Sequence, residues 1–351
     1  MKFFNSFPLV FWGYWTALRI SSTVQKIFLG DRALVPLQCM IALTNQCNCH
    51  CSMCFFLPPT SKKEQLTAQE VSAVLAQLPR GSIVTLTGGE PTISPDFWPI
   101  LENAVQRHMV QIFTNGTIWD ERMIDRLIEA GSCVINFSLD APCAEIHDAL
   151  RGHGGAFQKV VRTIETIDHL RRIKHRVRPL IDVNMVLLPE TVPYLSEMVD
   201  FCAQRNVNAL SMSLDKRLIT DMKDYCMDLD CLHRELINSI ELAKKARLHL
   251  RLGNNFTIED VMAYYSRSRV RLDSSPARDM SGFQCFAHWT KLVILSNGDV
   301  TQCNSLVGNI KKDKVMDIWN GIKMCEMRAR VVKGKALTQD CFRCCSLSRS
   351  C

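Results

Sequence analysis

Short apolar runs alternate with longer amphipathic stretches between about residues 38 and 214. The apolar runs have the length and the β-branched content of buried strands, and they are 38–44, 82–87, 110–114, 133–139, 181–188 and 208–214. The amphipathic stretches predict helices near 67–79, 95–108, 120–130, 155–173 and 192–205. This alternation predicts a parallel sheet wound by right-handed crossovers. Six β/α units fit a partial barrel as well as an open sheet, and in both, functional groups gather at the carboxyl ends of the strands.

The pattern changes after this α/β region. Residues 230–268 look helical with a strand-like break at 248–252, and residues 291–303 predict a hairpin whose turn is Asn297-Gly298. A helix near 314–332 precedes a cysteine-rich tail. We predict three parts, which are an N-terminal segment 1–36, an α/β partial barrel 37–270 and a small C-terminal α+β domain 271–351. Thr67 and Glu70 have the capping-box spacing at the first helix.

Composition narrows the class of protein. The chain has 351 residues, of which 47% are hydrophobic and 22% charged, which argues against extended disorder, collagen and coiled coil. No uncharged apolar run reaches the roughly 18 residues of a membrane span. The net charge of +7 is a mild bias over this length, so we expect no nucleic-acid partner.

Cysteine is the unusual component, with 17 residues that cluster at 47–54 and 341–351. A chain of this length does not need disulfides to be stable, so the clusters favour metal ligation in a reducing compartment, which predicts a cytoplasmic location. The scattered cysteines show no partner spacing and are expected to be small buried hydrophobes; they are Cys39, Cys49, Cys133, Cys143, Cys202, Cys226, Cys231 and Cys325.

The N-terminal segment is rich in aromatic residues. Residues 7–18 are apolar, but Arg19 follows them without a small-residue cleavage site, which argues against a signal peptide. Two interpretations of residues 1–28 stay open. They form a helix packed on the barrel, or they form an in-plane helix that makes peripheral contact with a membrane through interfacial Trp and Tyr side chains.

The first cysteine cluster reads CNCHCSMC and follows the first predicted strand. Cys47, Cys51 and Cys54 give the spacing C-x3-C-x2-C, with Cys49 as an extra. Three thiolates can hold a 4Fe–4S cluster and leave one iron open for another molecule, as open positions do at catalytic metals. The alternatives are a zinc site that uses these cysteines and His50, or simply reduced thiols.

With this motif the chain resembles the radical S-adenosylmethionine (SAM) superfamily. The resemblance implies that the open iron chelates the amino and carboxylate groups of SAM. One electron then cleaves SAM to methionine and a 5′-deoxyadenosyl radical, which abstracts hydrogen from the substrate. The chain differs at Met53, where the family usually has an aromatic residue. Methionine is still a large polarisable side chain that can pack beside a cluster.

A second motif, Gly88-Gly89-Glu90-Pro91, follows the second predicted strand and supports the resemblance. In the family, this sequence contacts the amino group of SAM, and a residue in the place of Arg151 holds the SAM carboxylate. Further polar residues at strand ends fit a cofactor shell, although each alone is equally explained by turn chemistry. These residues are Asn115, Ser138, Asp140 and Asn184. The resemblance covers about residues 38–214.

The second cysteine set consists of Cys285, Cys303, Cys341 and Cys344. Two cysteines that flank a hairpin, together with a distant C-x2-C pair, form a common topology for binding zinc or a complete 4Fe–4S cluster. The spacing C-x12-G-x4-C, from Cys285 through Gly298 to Cys303, resembles the SPASM/twitch extensions of radical SAM enzymes. The tail spacings favour one auxiliary 4Fe–4S cluster over two. Cys345 or Cys351 can replace one ligand, and zinc stays an alternative.

Two functional hypotheses follow. The first is a radical SAM enzyme that acts on a peptide or a small metabolite, with net oxidation assisted by the auxiliary cluster and with flavodoxin or ferredoxin as the electron donor. The basic runs 171–178 and 267–271 are solvated helix faces or docking sites for such an acidic donor. The second is a non-catalytic scaffold with structural zinc or iron–sulfur sites.

Overall fold

The computed structural model describes residues 20–21, 23–54, 62–131, 133–215, 226–253, 256–267, 283–303, 305–334 and 347–349. The chain forms two compact units. The first unit contains residues 1–46, 60–110 and 272–351, and the second contains 47–59 and 111–271. The cysteine loop 47–54 therefore belongs to the second unit.

Strands and helices alternate along most of the described chain. The strands are β1 (Gln38–Ala42), β2 (Ile83–Thr87), β3 (Met109–Thr114), β4 (Cys133–Ser138), β5 (Leu180–Leu187), β6 (Ala209–Leu214), β7 (His249–Leu252), β8 (Phe283–Cys285), β9 (Lys291–Ile294), β10 (Asp299–Gln302), β11 (Ser305–Asn309) and β12 (Leu347–Arg349). The helices are α1 (Ala68–Gln77), α2 (Phe97–Val105), α3 (Glu121–Ala130), α4 (Ala144–Arg151), α5 (Ala156–Ile173), α6 (Leu195–Gln204), α7 (Leu229–Ala246), α8 (Ile258–Arg267), α9 (Ala287–Thr290), α10 (Val315–Trp319) and α11 (Ile322–Val332).

The first unit contains the strand order β11-β10-β9-β1-β2. Strand β1 runs parallel to both β2 and β9, whereas β9, β10 and β11 are successive antiparallel strands. The predicted hairpin is confirmed, and Gly298 has the positive φ of +90° that its turn needs. A separate antiparallel pair joins β8 to β12, with Leu347 opposite Cys285.

The second unit contains the strand order β3-β4-β5-β6-β7, in which β4 and β5, β5 and β6, and β6 and β7 are parallel pairs. One face of these strands is apolar and buried, for example Val183 and Leu210, as expected for a sheet covered by helices. The opposite face is polar. On it, buried Asp182 pairs with Arg251 and accepts from the Ser211 hydroxyl at 2.9 Å, so that the buried carboxylate is compensated.

The predicted strands and the long helices are confirmed to within a few residues. Several features were not predicted. Helix α4 was missed, as were the short elements β8, α9, β11 and β12, and the predicted helix near 314–332 is broken into α10 and α11 at Asn320-Gly321. The side chain of Asn320 accepts from the Ala33 N–H at 3.0 Å, so the break serves a long-range contact within the first unit.

The N-terminal interpretations fall largely outside the described residues, because residues 1–19 are not among them. In the part that is described, Ile20, Val24, Ile27 and Phe28 are exposed apolar side chains. No helix in the described ranges is long and apolar enough to cross a bilayer. Membrane contact through residues 1–28, and the three predicted domain boundaries, stay predictions.

The capping box of α1 provides a test of the local structure. The Thr67 hydroxyl accepts from the Glu70 N–H at 3.2 Å, and the Glu70 carboxylate accepts from the Thr67 N–H at 2.9 Å. We expect Thr67→Ala to lower the free energy of unfolding by about 1 kcal/mol in urea titrations, because an N–H of the first turn loses its acceptor. The exposed neighbour Gln69 is the matched control, and Gln69→Ala should change the value by less than about 0.5 kcal/mol. Equal effects would contradict this role of the cap.

Candidate functional site

The cysteine loop is attached to the carboxyl end of helix α4. The N–H of His50 donates to the carbonyl of Arg151 at 3.0 Å, and the N–H of Ser52 donates to the carbonyl of Leu150 at 2.9 Å. The last carbonyls of a helix have no partner inside the helix, so they accept hydrogen bonds from elsewhere. The loop satisfies two of them, and the helix fixes the position of the backbone around Cys51.

Gly152 allows this close approach. It caps α4 with a positive φ of +57°, and a Cβ atom at this position would lie 2.5 Å from the carbonyl oxygen of His50. Both the left-handed backbone and the lack of space favour glycine here. The sequence HDALRG therefore ends in the residue that lets the helix receive the loop.

The four cysteines of the loop differ in their surroundings. Cys47 and Cys51 are half-buried, Cys54 is exposed, and Cys49 is buried. A hydrogen bond with Cys47, followed by burial, raises the pKa of the Cys49 thiol. The pKa of the Cys51 thiol is raised as well, so the C-x3-C-x2-C spacing, and not thiol acidity, distinguishes the predicted ligands Cys47, Cys51 and Cys54 from Cys49.

A cationic side chain lies beside one of these cysteines. The Nη1 of Arg151 is 3.7 Å from the Cys51 sulfur, and the Nη2 of Arg151 is 2.7 Å from a carboxylate oxygen of fully buried Asp140. Burial raises the pKa of the Cys51 thiol, whereas Arg151 acts in the opposite direction. Three thiolates and a 4Fe–4S core carry a net negative charge. The donor set and the neighbouring guanidinium therefore fit such a cluster.

Asp140 is held by groups that the sequence did not reveal. Its second carboxylate oxygen accepts from the Val186 N–H at 3.1 Å, and its own N–H donates to Nδ1 of His147 at 3.2 Å. Burial lowers the pKa of His147 to about 4, so this ring is neutral at pH 7 and accepts at Nδ1. His147 was not a candidate, because an isolated histidine before Arg151 gives no pattern in the sequence.

Asn115, a residue of the predicted cofactor shell, lies next to Cys47. Its side-chain nitrogen is 4.0 Å from the Cys47 sulfur and donates to the Asn48 carbonyl oxygen at 2.8 Å. Asn48 in turn donates to the Thr117 hydroxyl at 2.8 Å. Asn48 and Thr117 were not predicted, although Asn48 stands between two of the cysteines.

Met53 takes the position at which an aromatic residue was expected. It is buried with Leu150 and Leu188, and the partly buried Cys51 packs against the same group. This packing gives the loop a hydrophobic attachment to α4 in addition to its backbone hydrogen bonds.

The Gly88–Pro91 motif lies in the first unit at the end of β2, where it contacts the residues that precede Cys47. Gly89 N–H donates to the carbonyl of Thr44 and Glu90 N–H donates to that of Gln46, both at 2.8 Å. Gly88 has a φ of +139°, and a Cβ there would lie 2.3 Å from the Thr44 oxygen. The carboxylate of fully buried Glu90 accepts from the Thr92 hydroxyl at 2.7 Å, before the short 3₁₀ turn that starts with Pro91.

Ser138 and Asn184 are adjacent on the polar face of the second unit. They are register partners on β4 and β5, and both are half-buried. The Ser213 hydroxyl donates to the side-chain oxygen of Asn184 at 2.7 Å. The structure therefore brings these two predicted residues together.

The second cysteine set is described only in part. Cys285 ends β8 and Cys303 follows β10, and both are half-buried, whereas Cys341, Cys344, Cys345 and Cys351 lie outside the described residues. Strand β12, which lies between Cys345 and Cys351 in the sequence, pairs with β8. Within the described ranges, which do not include the tail cysteines, no three His, Cys, Asp or Glu side chains surround a single metal position.

The basic run 171–178 is not a uniformly solvated face. Arg171 is buried, and it donates to the Pro179 carbonyl at 2.8 Å and to the Asn208 side chain at 3.1 Å. Lys174 forms ion pairs with Asp125 and Glu129. Of the run 267–271, only Arg267 is described. Donor docking at these runs stays a prediction, and Arg171 is not available for it.

Comparison with known proteins identifies two domains. Residues 41–202 match the radical SAM superfamily, and residues 285–345 match SPASM, an iron–sulfur cluster-binding domain. The predicted resemblance is thus confirmed. The cofactors predicted for each domain are confirmed as well, namely a 4Fe–4S cluster with SAM for the first and auxiliary iron–sulfur binding for the second.

Curated relatives share parts of the chain. The mycofactocin maturase MftC of Mycobacterium ulcerans is 32% identical over 128 residues, which are 36% of this chain and 34% of that protein. The sporulation killing factor maturation protein SkfB of Bacillus subtilis is 28% identical over 172 residues, which are 48% of this chain and 40% of that protein. The chain therefore spans less than half the length of these relatives.

Solved structures show the same fold. Streptococcus suis SuiB bound to S-adenosylmethionine superposes with a TM-score of 0.67 and 18% identity over 94% of this chain and 75% of that one. SuiB bound to the precursor peptide SuiA gives a TM-score of 0.66 and 18% identity, over 84% of this chain and 67% of that one. The predicted fold class, a partial (β/α)6 barrel with a small C-terminal α+β domain, is confirmed by these similarities.

Gly152 and Gly154 form a matched pair for testing the attachment of the loop. An added Cβ at Gly152 meets the His50 carbonyl, whereas one at Gly154 meets nothing within 4 Å. We expect Gly152→Ala to cost on the order of 1–3 kcal/mol of unfolding free energy and to reduce the iron bound after reconstitution, because the loop can no longer reach α4. Gly154→Ala should leave both quantities close to wild type. Equal iron loading in the two variants would contradict the role of this contact.

Proposed function

Because the chain carries a radical SAM domain and a SPASM domain, we propose that it is an enzyme that cleaves SAM and uses the resulting radical to modify a ribosomally made peptide. The observation that carries the proposal is the cysteine loop, in which the C-x3-C-x2-C set is fixed on α4 with Arg151 at 3.7 Å from the Cys51 sulfur. The proteins MftC and SkfB are named for maturation, and SuiB was solved with a precursor peptide. These names favour a peptide over a small metabolite as the substrate class.

Cys47, Cys51 and Cys54 would hold the catalytic cluster, with Cys49 outside the ligand set. When bound, the cluster would supply one electron that cleaves SAM, and the 5′-deoxyadenosyl radical so formed would abstract a hydrogen atom from the substrate. The guanidinium of Arg151 would offset negative charge at the Cys51 sulfur. The guanidinium stays near that sulfur because its second terminal nitrogen, Nη2, is paired with buried Asp140.

The remaining predicted residues would seat SAM. Gly88 lets the end of β2 lie against the Thr44 backbone, and this would fix the Gly88–Pro91 turn where it lines the cofactor. Glu90 would pair with the SAM ammonium group. Asn115, Ser138 and Asn184 offer amide and hydroxyl groups for the rest of the cofactor. Arg151 was expected to hold the SAM carboxylate, and its contacts with Asp140 and Cys51 support a role in positioning the cluster ligand as well.

Cys285 and Cys303, with Cys341 and Cys344 of the tail, would hold one auxiliary 4Fe–4S cluster. An auxiliary cluster can take an electron from the substrate radical, which would give net oxidation. A small flavoprotein or ferredoxin would supply the electron for SAM cleavage, and a cytoplasmic location suits this chemistry because it keeps thiols reduced.

Substitution of each cysteine set on its own tests the role of that set. After anaerobic reconstitution we expect about eight irons per chain and release of 5′-deoxyadenosine upon reduction with dithionite. The triple variant Cys47→Ala/Cys51→Ala/Cys54→Ala should lose roughly half of the iron and all SAM cleavage. The double variant Cys341→Ala/Cys344→Ala should lose roughly half of the iron and keep SAM cleavage. Cys49→Ala is the matched control within the loop and should keep both.

Two results would contradict the proposal. Reconstituted wild-type chain that contains zinc alone, or that releases no 5′-deoxyadenosine, would favour the scaffold hypothesis. The substrate class needs a separate comparison, in which peptides encoded beside the gene and a metabolite extract are incubated with the reduced enzyme. A SAM-dependent mass change in a peptide supports the proposal, and a change confined to small metabolites overturns its choice of substrate.

A further inference from the structure

A buried histidine lies beside Cys303, apart from the catalytic loop. His288 belongs to the short helix α9, which connects β8 to β9, and its side chain is fully buried. Its Nε2 atom is 3.5 Å from the sulfur of Cys303, fifteen positions later in the sequence. This distance is within the range of an N–H···S hydrogen bond, since sulfur acceptors are larger than oxygen.

The surroundings of the two ring nitrogens of His288 indicate which of them carries the proton. Nδ1 of His288 is buried and has no hydrogen-bond partner among the described residues. A buried N–H without an acceptor is costly, and a bare ring nitrogen at the same place costs less. The proton therefore belongs on Nε2, where the sulfur can accept it. A free thiol at Cys303 can also donate to the ring, but a metal-bound thiolate can only accept.

The surrounding structure keeps the ring at this place. The fully buried Arg328 donates from Nε to the backbone carbonyl of His288 at 2.8 Å and from Nη2 to that of Trp319 at 2.7 Å. The neighbouring Trp289 is also fully buried, and its ring lies edge-on to that of His288. On the other side, Cys303 adopts a positive φ of +48°, which directs the chain as it leaves β10. Both partners of the contact are thus fixed by their backbones.

We propose that His288 is a positioning residue that donates its Nε2–H to the Cys303 thiolate when Cys303 ligates the auxiliary cluster, and that this hydrogen bond raises the reduction potential of that cluster. The inference rests on the auxiliary cluster of the proposed function and deepens it. Reduction adds one electron to the cluster and breaks no bond. A donor to a ligand sulfur stabilises the more negative, reduced state, which raises the potential. A higher potential favours transfer of an electron from a substrate radical to this cluster.

Substitution of His288 in the fully loaded enzyme tests the proposal. His288→Phe fills the same space without a donor, and His288→Gln keeps an N–H near the position of Nε2. In potentiometric titrations followed by electron paramagnetic resonance (EPR), we expect His288→Phe to change the ratio of oxidised to reduced auxiliary cluster about tenfold in favour of the oxidised form. For a one-electron couple this is a shift of about 59 mV. His288→Gln should restore most of the shift, and the catalytic cluster is an internal control whose potential should not move.

A second measurement needs no substitution, so it decides the question even if His288→Phe fails to fold. In wild-type enzyme labelled with ¹⁵N-histidine, pulsed EPR of the reduced auxiliary cluster should show a weak nitrogen coupling, as expected across a hydrogen bond. A strong coupling would identify His288 as an iron ligand and overturn the proposal. So would an unshifted potential, or a loss of roughly half the iron in folded His288→Phe. If the wild type releases 5′-deoxyadenosine while any of these results is found, the inference fails and the proposed function stands.

Discussion

The candidate site depends on the attachment of one loop to one helix end. The N–H groups of His50 and Ser52 complete the last two carbonyls of α4, and Gly152 provides the space for this approach. The loop would otherwise expose its backbone, and α4 would end with unpaired acceptors. Because each segment supplies the hydrogen-bond partners that the other needs, protein contacts alone fix the backbone that carries the three cysteines. The same contact brings Arg151, the last residue of the helix, to the sulfur of Cys51.

The buried ion pair between Asp140 and Arg151 lies beside this attachment. Asp140 is fully buried, and it holds Arg151 while Val186 and His147 hold Asp140. Leaving such a carboxylate without its partner would be expensive, so the guanidinium is retained in the interior. Once there, it also faces the thiol of Cys51. A second arginine, Arg328, has a comparable function in the first unit, where it holds the backbone of His288 near Cys303. The two arginines differ in one respect, because Arg151 itself contacts the predicted ligand Cys51, whereas Arg328 holds the residue that contacts Cys303.

The secondary structure could be predicted from the local sequence pattern, whereas the contacts between residues far apart in the chain could not. The strands, the long helices and the hairpin turn at Gly298 are encoded by hydrophobic periodicity and turn chemistry. The two cofactor motifs could be placed because each directly follows a predicted strand. Helix α4 was missed because it is short and its role is long-range: Cys51 and Arg151 are 100 positions apart. His147, Asn48 and His288 were missed because each is a single polar residue whose contact follows no recognisable spacing. Their partners Asp140, Asn115 and Cys303 stand 7, 67 and 15 positions away.

The central claim is that the loop holds a cluster with one iron left free by the protein, and that SAM binds at this iron. It is tested most directly by EPR of the dithionite-reduced Cys341→Ala/Cys344→Ala variant, in which the loop cluster is expected to give the remaining spectrum. We predict that adding SAM changes the g-values of this spectrum, because SAM becomes a ligand of the open iron. Superimposable spectra with and without SAM would contradict the account.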